Sequence, residues 1–484
     1  MNNRYINLCQ VFTPQQTVKE LLDWCGYRKD LLGKKILEHS CGDGHILEEV
    51  VRRYVEDAII HKHSNCEIRK GLLNDIHGIE FDANQRRKCI KNLKKITEEY
   101  NIKDFDWSLN IKRKDTLRSI EEEKFDFVVG NPPYIKYRSL EEEDRNYVRE
   151  RFETCKNGKF DYCYAFIEAS LISLKENGVM AYLIPSSIFK NVFANDLREY
   201  IKPHLLKIYD YTTTKLFDKN SNAQARERMT SSAIMILKKN SNKKHLDYID
   251  VTNDIKIKIR KAELQHKWIF KNGSVITGKK KRFGDYFNAA NTIATLYNKA
   301  YVINEYKEYK NYIVTADGYH IEKDIIKDTV SPKTFNRVLK EKIIFPYTYN
   351  ENNELMRFEE EIFEEKYKGA CEYLKKNIEA LGKRCSDKNA KWFEYGRSQA
   401  LKNSNQEKIL LSTVITNEVK TRILNADNIP YSGIYITQIG NRSLEDAERI
   451  LHSKDFFEYI KEKGINASGK SLRITAKDIN EYIF

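Results

Sequence analysis

The tetrapeptide Asn131-Pro132-Pro133-Tyr134 combines residue types that suit one kind of chemistry. Two consecutive prolines have no backbone N–H and hold the chain extended, so the carbonyl groups of this turn can accept hydrogen bonds from elsewhere. The Asn131 side-chain carbonyl and the Pro132 backbone carbonyl therefore offer two acceptors for the two hydrogens of an exocyclic amine. Such acceptors stabilise the positive charge that develops when a weakly nucleophilic ring amine attacks an electrophile. Tyr134 adds a flat face on which an extruded base can stack, although a simple proline turn capped by Asn is the alternative interpretation.

Three acidic residues end three predicted strands upstream of this turn. Glu38 opens a turn whose glycines, Gly42 and Gly44, permit a tight bend and close backbone approach to a ligand. Glu80 is placed to hold both hydroxyls of a ribose, and Asp115 to accept a hydrogen bond from an adenine amino group. Each acid alone is more typical of a helix N-cap, but the succession of three favours a cofactor site.

The same turn limits the kind of cofactor. The chain has no Gly-x-x-x-x-Gly-Lys-Ser/Thr phosphate loop, and the glycine turn lacks the third glycine of a dinucleotide site. A nucleoside without a pyrophosphate fits better. The cluster at residues 61–66 supplies only half of a metal site, so we expect a polar surface loop there and no metal.

The elements that must position these residues form an alternating pattern. Short apolar strands alternate with amphipathic helices over residues 1–240, which predicts an α/β fold with a doubly wound, Rossmann-like parallel sheet covered on both faces. Ligands bind such sheets at the carboxyl ends of the strands, where each candidate residue falls. The predicted strands are residues 35–38, 77–80, 111–114, 125–129, 179–184, 206–211 and 232–237, and the predicted helices are residues 46–54, 84–96, 162–175 and 194–201.

The pattern changes after residue 240. Residues 241–262 begin with a polar stretch that lacks periodicity and predict a linker. Residues 263–484 mix aromatic and β-branched runs with charged helices, notably one over residues 357–382, and predict a second domain of α+β character.

Composition narrows the class of partner. The 484 residues carry a net charge of +14, and residues 251–484 hold 41 Lys and Arg against 32 Asp and Glu, which favours a polyanionic partner. The nine scattered cysteines are typical of reduced thiols. The sequence has neither an apolar run of about 20 residues nor a signal peptide, so we expect a cytoplasmic protein without a membrane partner.

The motifs resemble those of gamma-class type II adenine-specific (N6) DNA methyltransferases over most of residues 8–240. Val11-Phe12-Thr13-Pro14 is similar to the family's N-terminal motif, which closes over the methionine end of the cofactor. The turn from Glu38 to Gly44 is similar to the family's acid-Pro-Ala-Cys-Gly-Ser-Gly turn, with His39, Ser40 and Asp43 substituted.

The resemblance also implies roles for two aromatic residues that could equally belong to the core. Phe166, in a segment similar to the family's next motif, would pack against the cofactor's adenine, and Phe217 would sandwich the flipped base opposite Tyr134. The implied cofactor is S-adenosyl-L-methionine. The implied cofactor-binding residues are Thr13, Pro14, Glu38, Gly42, Gly44, Glu80, Asp115, Thr116, Asn131, Pro133 and Phe166, and the implied catalytic residues are Asn131, Pro132, Tyr134 and Phe217.

The implied activity is site-specific methyl transfer to the N6 amine of a flipped adenine in double-stranded DNA, by a modification enzyme or an orphan methyltransferase. Residues 392–400 and 471–475 resemble target-recognition domains of type II enzymes, and residues 278–282 could grip phosphates. We expect DNA in a cleft between the domains and a cognate restriction endonuclease encoded separately. A fused nuclease is not expected, because the methyltransferase motifs begin at residue 11 and no nuclease motif follows residue 240. The alternatives are methyl transfer to RNA adenine or protein glutamine, and a catalytically dead DNA-binding relative.

Overall fold

A computed structural model gives the structure of the chain, which divides into two compact units, Met1–Val275 and Ile276–Phe484. The structure describes residues 13–211, 231–270, 281–335, 341–468 and 471–484.

The first unit is built on one large sheet of nine strands. These are β1 (Ile36–Glu38), β2 (Ile76–Ile79), β3 (Ile111–Lys112), β4 (Phe125–Gly130), β5 (Leu174–Pro185), β6 (Leu205–Asp210), β7 (Ser232–Lys238), β8 (His245–Asp250) and β9 (Ile255–Arg260). They are ordered β3-β2-β1-β4-β5-β7-β6-β8-β9.

The strand order reverses between β1 and β4. From β1 the sheet continues outward through β2 to β3, and from β4 it continues in the other direction to β5, with all these neighbours parallel. In an open α/β sheet this reversal leaves a crevice outside the carboxyl ends of the two central strands. Glu38 ends β1 and pairs with Val129 of β4, two residues before Asn131. The fold therefore brings Glu38, predicted to bind the cofactor, and Asn131, predicted to be catalytic, to the ends of adjacent strands.

Helices cover both faces of this sheet, as predicted. Consecutive residues of β4 point to opposite faces, and Val128 and Val129 accordingly belong to two different buried apolar clusters. The helix after the glycine turn buries Leu47, Val50 and Tyr54 at helical spacing. The α-helices are α1 (Gln15–Cys25), α2 (His45–Ile60), α3 (Asn65–Asp75), α4 (Ala83–Glu99), α5 (Glu142–Arg151), α6 (Cys163–Ser173) and α7 (Asn195–Ile201).

Two features of the sheet differ from the prediction. β7 lies between β5 and β6 and runs antiparallel to both, whereas a parallel sheet was predicted. The sequence could not indicate this, because an apolar run buried on both faces carries no information about strand direction. Residues 241–262, for which the sequence predicts a linker, contain β8 and β9, which pair with each other and extend the sheet beyond β6.

The second unit has α+β character, as predicted. Its strands form one four-stranded sheet, three three-stranded sheets and one two-stranded sheet within the described residues. The strands are β10 (Phe287–Asn291), β11 (Val302–Ile303), β12 (Tyr306–Glu308), β13 (Tyr312–Thr315), β14 (His320–Glu322), β15 (Ile326–Thr329), β16 (Glu341–Ile344), β17 (Tyr347–Tyr349), β18 (Leu355–Arg357), β19 (Lys408–Leu411), β20 (Val414–Ile415), β21 (Thr421–Leu424), β22 (Ile434–Gln438), β23 (Ile465–Ser468) and β24 (Ser471–Arg473).

The long helix predicted over residues 357–382 is wrong. The region forms a strand and three short helices, and the middle helix starts at Lys368 with its Gly369 and Ala370 N–H groups donating to the Glu322 carboxylate at 2.8 and 3.0 Å. The helices of this unit are α8 (Asn298–Tyr301), α9 (Glu360–Lys366), α10 (Lys368–Lys375), α11 (Ile378–Gly382), α12 (Leu444–Leu451), α13 (Lys454–Lys463) and α14 (Ala476–Asn480).

Within the described ranges, no helix combines the length and apolar character needed to span a bilayer.

Candidate active site

The Asn131 side chain is held from two sides at the carboxyl end of β4. Its Nδ2 donates to the Thr13 hydroxyl at 3.2 Å, and its Oδ1 accepts from the Tyr134 hydroxyl at 2.7 Å. The Tyr134 hydroxyl is also within donating reach of the Leu183 carbonyl of β5. Burial raises the pKa of Tyr134 well above its usual value, so the hydroxyl remains a donor. These contacts fix the orientation of the amide, with its nitrogen toward Thr13 and its oxygen toward Tyr134.

The turn packs closely on β1 and β5. Pro132 and Pro133 are buried. A side chain on Gly130 would begin 3.2 Å from the Tyr182 ring and 3.7 Å from Cγ of Glu38. A glycine just before Asn131 therefore lets the Asn131 turn approach Glu38.

Glu38 is a buried acid that lacks a complete set of partners. Its side chain is 3% exposed, and Oε2 has no hydrogen-bond partner within the described residues. Burial, reinforced by the charges of Glu80 and Asp43, raises the pKa of the Glu38 carboxyl well above its usual value. An uncompensated buried carboxylate costs on the order of several kcal/mol. The residue must therefore either keep its proton or meet a donor from a ligand.

Glu80 organises the glycine turn. One oxygen accepts the Gly42 N–H at 2.8 Å, and the other accepts the Asp82 N–H at 2.7 Å. Burial raises the pKa of Glu80, while these two N–H groups act in the opposite direction. A carboxylate has about four acceptor positions, so Glu80 retains capacity for ligand hydroxyls.

The two glycines have different physical roles. Gly42 adopts φ of +53°, and a Cβ there would have no atom within 4 Å, so the turn is open on that side. Gly44 adopts φ of +97°, and a Cβ there would lie 2.8 Å from the Cys89 sulfur. Gly42 leaves room for a ligand, whereas Gly44 permits packing of the turn against α4.

Asp115 and Thr116 lie at the end of β3. Asp115 accepts the Leu117 N–H at 3.1 Å and approaches Arg118 at 3.7 Å. The Thr116 hydroxyl is buried and donates to the His39 carbonyl at 2.5 Å. Thr116, predicted to bind the cofactor, thus uses its only proton to tie the β3 turn to the β1 turn.

The remaining predicted residues occupy mixed positions. Pro14 precedes α1 and accepts the Val18 N–H at 3.0 Å through its carbonyl. Phe166 is 3% exposed in α6 and contacts Tyr162 edge to face at 5.6 Å, as a core residue would. Phe217 and the stretch 278–280 lie outside the described residues, as do Val11 and Phe12 of the N-terminal motif.

A buried polar cluster that no local sequence pattern indicates lies beside Glu38. His39 Nδ1 lies 3.1 Å from the Ser170 hydroxyl, which donates to the Tyr182 hydroxyl at 2.7 Å. Burial lowers the pKa of His39 to about 3, so the ring is neutral. The partners lie 131 and 143 positions from His39 in the chain, a separation that no local pattern reports.

The motifs of the second unit make internal contacts. Phe393 stacks on Phe363 at 4.0 Å, and the buried Glu394 pairs with Arg357. β24 is paired within a sheet, and Thr475 caps α14. Residues 61–66 form the end of a turn and the start of α3, where Ser64 is the N-cap. The described part of the chain contains no group of three or more potential metal ligands.

Comparison with known proteins identifies a matching family model and several relatives. The Eco57I restriction-modification methylase family model matches residues 54–217. The type II methyltransferase M.BstVI of Geobacillus stearothermophilus is 31% identical over 204 residues, which is 40% of this chain and 36% of that protein. The type II restriction enzyme and methyltransferase RM.Eco57I of Escherichia coli is 23% identical over 87% of this chain and 51% of its own length. The chain thus spans about a third to a half of these relatives.

The fold extends the similarity to both units. The structure of the type IIL restriction-modification enzyme MmeI in complex with DNA is similar to this chain, with a TM-score of 0.60 and 13% sequence identity. The match covers 96% of this chain and 64% of the MmeI chain. At that identity the match concerns the fold alone. The predicted α/β architecture is confirmed by the sheet and helices of the first unit. The region matched by the Eco57I family model, residues 54–217, includes the Asn131 turn, Glu80 and Asp115. The resemblance of this chain to type II DNA methyltransferases is therefore confirmed.

Proposed function

We propose that this chain is a site-specific DNA adenine N6-methyltransferase that uses S-adenosyl-L-methionine and acts within a restriction-modification system or as an orphan enzyme. The observation that carries the proposal is the Asn131 amide, held between Thr13 and Tyr134 at the strand end next to Glu38. The similarity to type II methyltransferases supports the reaction class.

The residues at the switch point fit the proposed cofactor. Its ammonium, ribose hydroxyls and adenine amino group are all donors, and Glu38, Glu80 and Asp115 are acceptors at three neighbouring strand ends. The unpartnered Oε2 of Glu38 and the open side of Gly42 leave both a polar vacancy and space. Glu80 suits the ribose hydroxyls, and the Glu38 turn suits the methionine part.

The proposed chemistry needs alignment more than a strong base. The bound cofactor supplies an electrophilic methyl group on a sulfonium. Asn131 Oδ1 and the Pro132 carbonyl accept the two amine hydrogens, which draws the nitrogen toward tetrahedral geometry and stabilises its developing positive charge. The sulfonium would supply the methyl group and depart as a neutral thioether, while Asn131 and Pro132 hold the amine, which would then give up one proton to solvent. Tyr134 both orients Asn131 through its hydroxyl and offers its ring to the base.

Several observations favour duplex DNA as the substrate. The net charge of +14 suits a polyanion. The relatives are named as type II methyltransferases, and the fold of MmeI, which was solved with DNA, covers both units. We propose that the second unit reads the target sequence, and that a restriction activity of the kind named in RM.Eco57I accompanies the chain.

The test is to express the chain in a host without adenine methylation and to map modified bases by long-read sequencing. We expect N6-methyladenine confined to one short sequence, and none with Asn131→Ala, although that variant should still bind the cofactor. The matched control is Asn74→Ala. Asn74 is exposed and lies just before the amino end of β2, at the edge of the sheet opposite to the Asn131 turn. Unmodified DNA with methylated RNA or protein glutamine would refute the substrate, and near-normal methylation by Asn131→Ala would refute the mechanism.

A further inference from the structure

An exposed apolar pair, Val192-Phe193, lies at the same edge of the first unit's sheet as the Asn131 turn. The two side chains are 60% and 44% exposed. They follow the carboxyl end of β5, the strand whose Leu183 carbonyl contacts the Tyr134 hydroxyl. Singly exposed apolar side chains are common, but two adjacent ones beside a candidate site suit a contact surface.

The pair is presented by a firmly held loop. The Arg198 guanidinium, 1% exposed, donates to the carbonyls of Ile188 and Asn191 at 2.6 and 2.7 Å. The Asn191 side chain accepts the Phe193 N–H at 3.1 Å, and the backbone N–H of the buried Trp268 donates to the Phe189 carbonyl at 2.8 Å. The exposure of Val192 and Phe193 is therefore built into the fold.

Contacts connect this loop to the catalytic turn. The Phe193 ring lies so close to Gly158 that a Cβ there would meet it at 2.6 Å. Three residues later, the backbone of Asp161 forms an isolated antiparallel β-bridge with that of Lys136. The Tyr162 N–H donates to the Ile135 carbonyl at 2.9 Å. Lys136 is two residues from Tyr134.

Three stretches beside these contacts are rich in positive charge. Residues 131–140, 154–160 and 185–195 contain five cations and no Asp or Glu. The five cations are Lys136, Arg138, Lys156, Lys159 and Lys190. Lys156 pairs with Glu153, and the flanking Asp161 and Asp196 accept hydrogen bonds from the Cys163 N–H and from Asn157. Such a setting suits phosphates on either side of an apolar insertion.

We propose that Val192 and Phe193 form a wedge that enters duplex DNA beside the target adenine and stabilises its extruded state. This proposal rests on the proposed function and assigns positioning residues within it. Extruding a base costs a few kcal/mol of stacking and pairing, and apolar side chains that enter base steps recover part of that cost. A wedge fixed beside the Asn131 turn would hold the duplex open where the amine must be presented.

The test uses the full chain and a duplex carrying the mapped site with 2-aminopurine, a fluorescent analogue that brightens when unstacked, at the target position. We expect Val192→Ala/Phe193→Ala to lower the extruded fraction about tenfold, with unchanged cofactor affinity and thermal unfolding. Methylation of the ordinary duplex should slow to a similar degree. Opposite an abasic position, where extrusion is easier, the variant should regain near-wild-type rates.

The matched control is Ile59→Ala/Ile60→Ala, another consecutive apolar pair, 49% and 74% exposed at the far end of α2. It should behave as wild type in each measurement. A wedge variant equal to this control, or one equally slow opposite the abasic position, would overturn the wedge while leaving the proposed function standing. A wild-type chain that methylates no adenine would overturn the proposed function itself.

Discussion

The Tyr134 hydroxyl lies 2.7 Å from the side-chain oxygen of Asn131, so one aromatic residue orients the proposed catalytic amide as well as offering a stacking face. Tyr134→Phe keeps the ring and removes this hydrogen bond. A neutral hydrogen bond contributes about 1 kcal/mol, so we expect kcat to fall five- to tenfold (roughly) with KM for DNA little changed.

Tyr134→Ala is the companion variant, because it removes ring and hydroxyl together and should reduce kcat much further. Steady-state kinetics on the mapped duplex provide the measurement. Wild-type kcat for Tyr134→Phe would mean that the hydroxyl does not orient Asn131.

Thr13 holds the other end of the same amide. Thr13→Val has nearly the same shape but cannot accept the Asn131 Nδ2 hydrogen at 3.2 Å, so we expect lower kcat. Thr13→Ser keeps the acceptor and should retain most activity. Equal rates for the valine and serine variants would show that the contact contributes nothing to catalysis.

Glu80 should control cofactor affinity. Glu80→Ala removes the acceptor for the Gly42 and Asp82 N–H groups and the proposed ribose ligand, so we expect the Kd of the cofactor to rise about 10- to 100-fold. Isothermal titration calorimetry measures this directly. Glu98→Ala, in the exposed end of α4, is the control. Unchanged affinity in Glu80→Ala would assign the ribose to another residue.

We expect cofactor binding to depend on pH through the buried Glu38 carboxyl. Its raised pKa means that the free protein holds a proton at pH values where an ordinary Glu has lost it. A cationic or donor group beside Oε2 favours the carboxylate, so binding should release a proton. Affinity should therefore rise with pH, by at most about tenfold per unit, until the pKa of the free state is passed.

Calorimetry in buffers of different ionisation enthalpy counts the protons released. Glu38→Gln should bind more weakly and abolish the proton release. A wild-type protein that binds without releasing a proton would show that Glu38 keeps its proton and acts as a donor.

Much of the first unit could be predicted from sequence because its determinants are local. Apolar runs bounded by glycines and acids located β1 to β7 within a few residues, and the position of Asn131 after the fourth strand followed from that order. The antiparallel direction of β7 could not be read, since strand direction is decided by neighbours far away in the chain.

Residues that act through distant partners were the ones missed. The start of α10 is fixed by Glu322, 47 positions from Gly369. The Thr116 hydroxyl is used by His39, 77 positions away. In the candidate site, the sequence indicated Asn131, whereas the contact of its amide with Thr13 and that of the Tyr134 hydroxyl with the Leu183 carbonyl are made only by folding.

The placement of β8 and β9 has a practical consequence for dissecting the protein. β9 presents Lys256, Lys258 and Arg260 to solvent, charges that discourage edge-to-edge pairing of sheets. A shorter chain ended at residue 240 would expose the unpaired edge of β6 and remove Trp268, which anchors the Val192 loop. We expect it to aggregate, so the first unit is better isolated with every residue up to Val275.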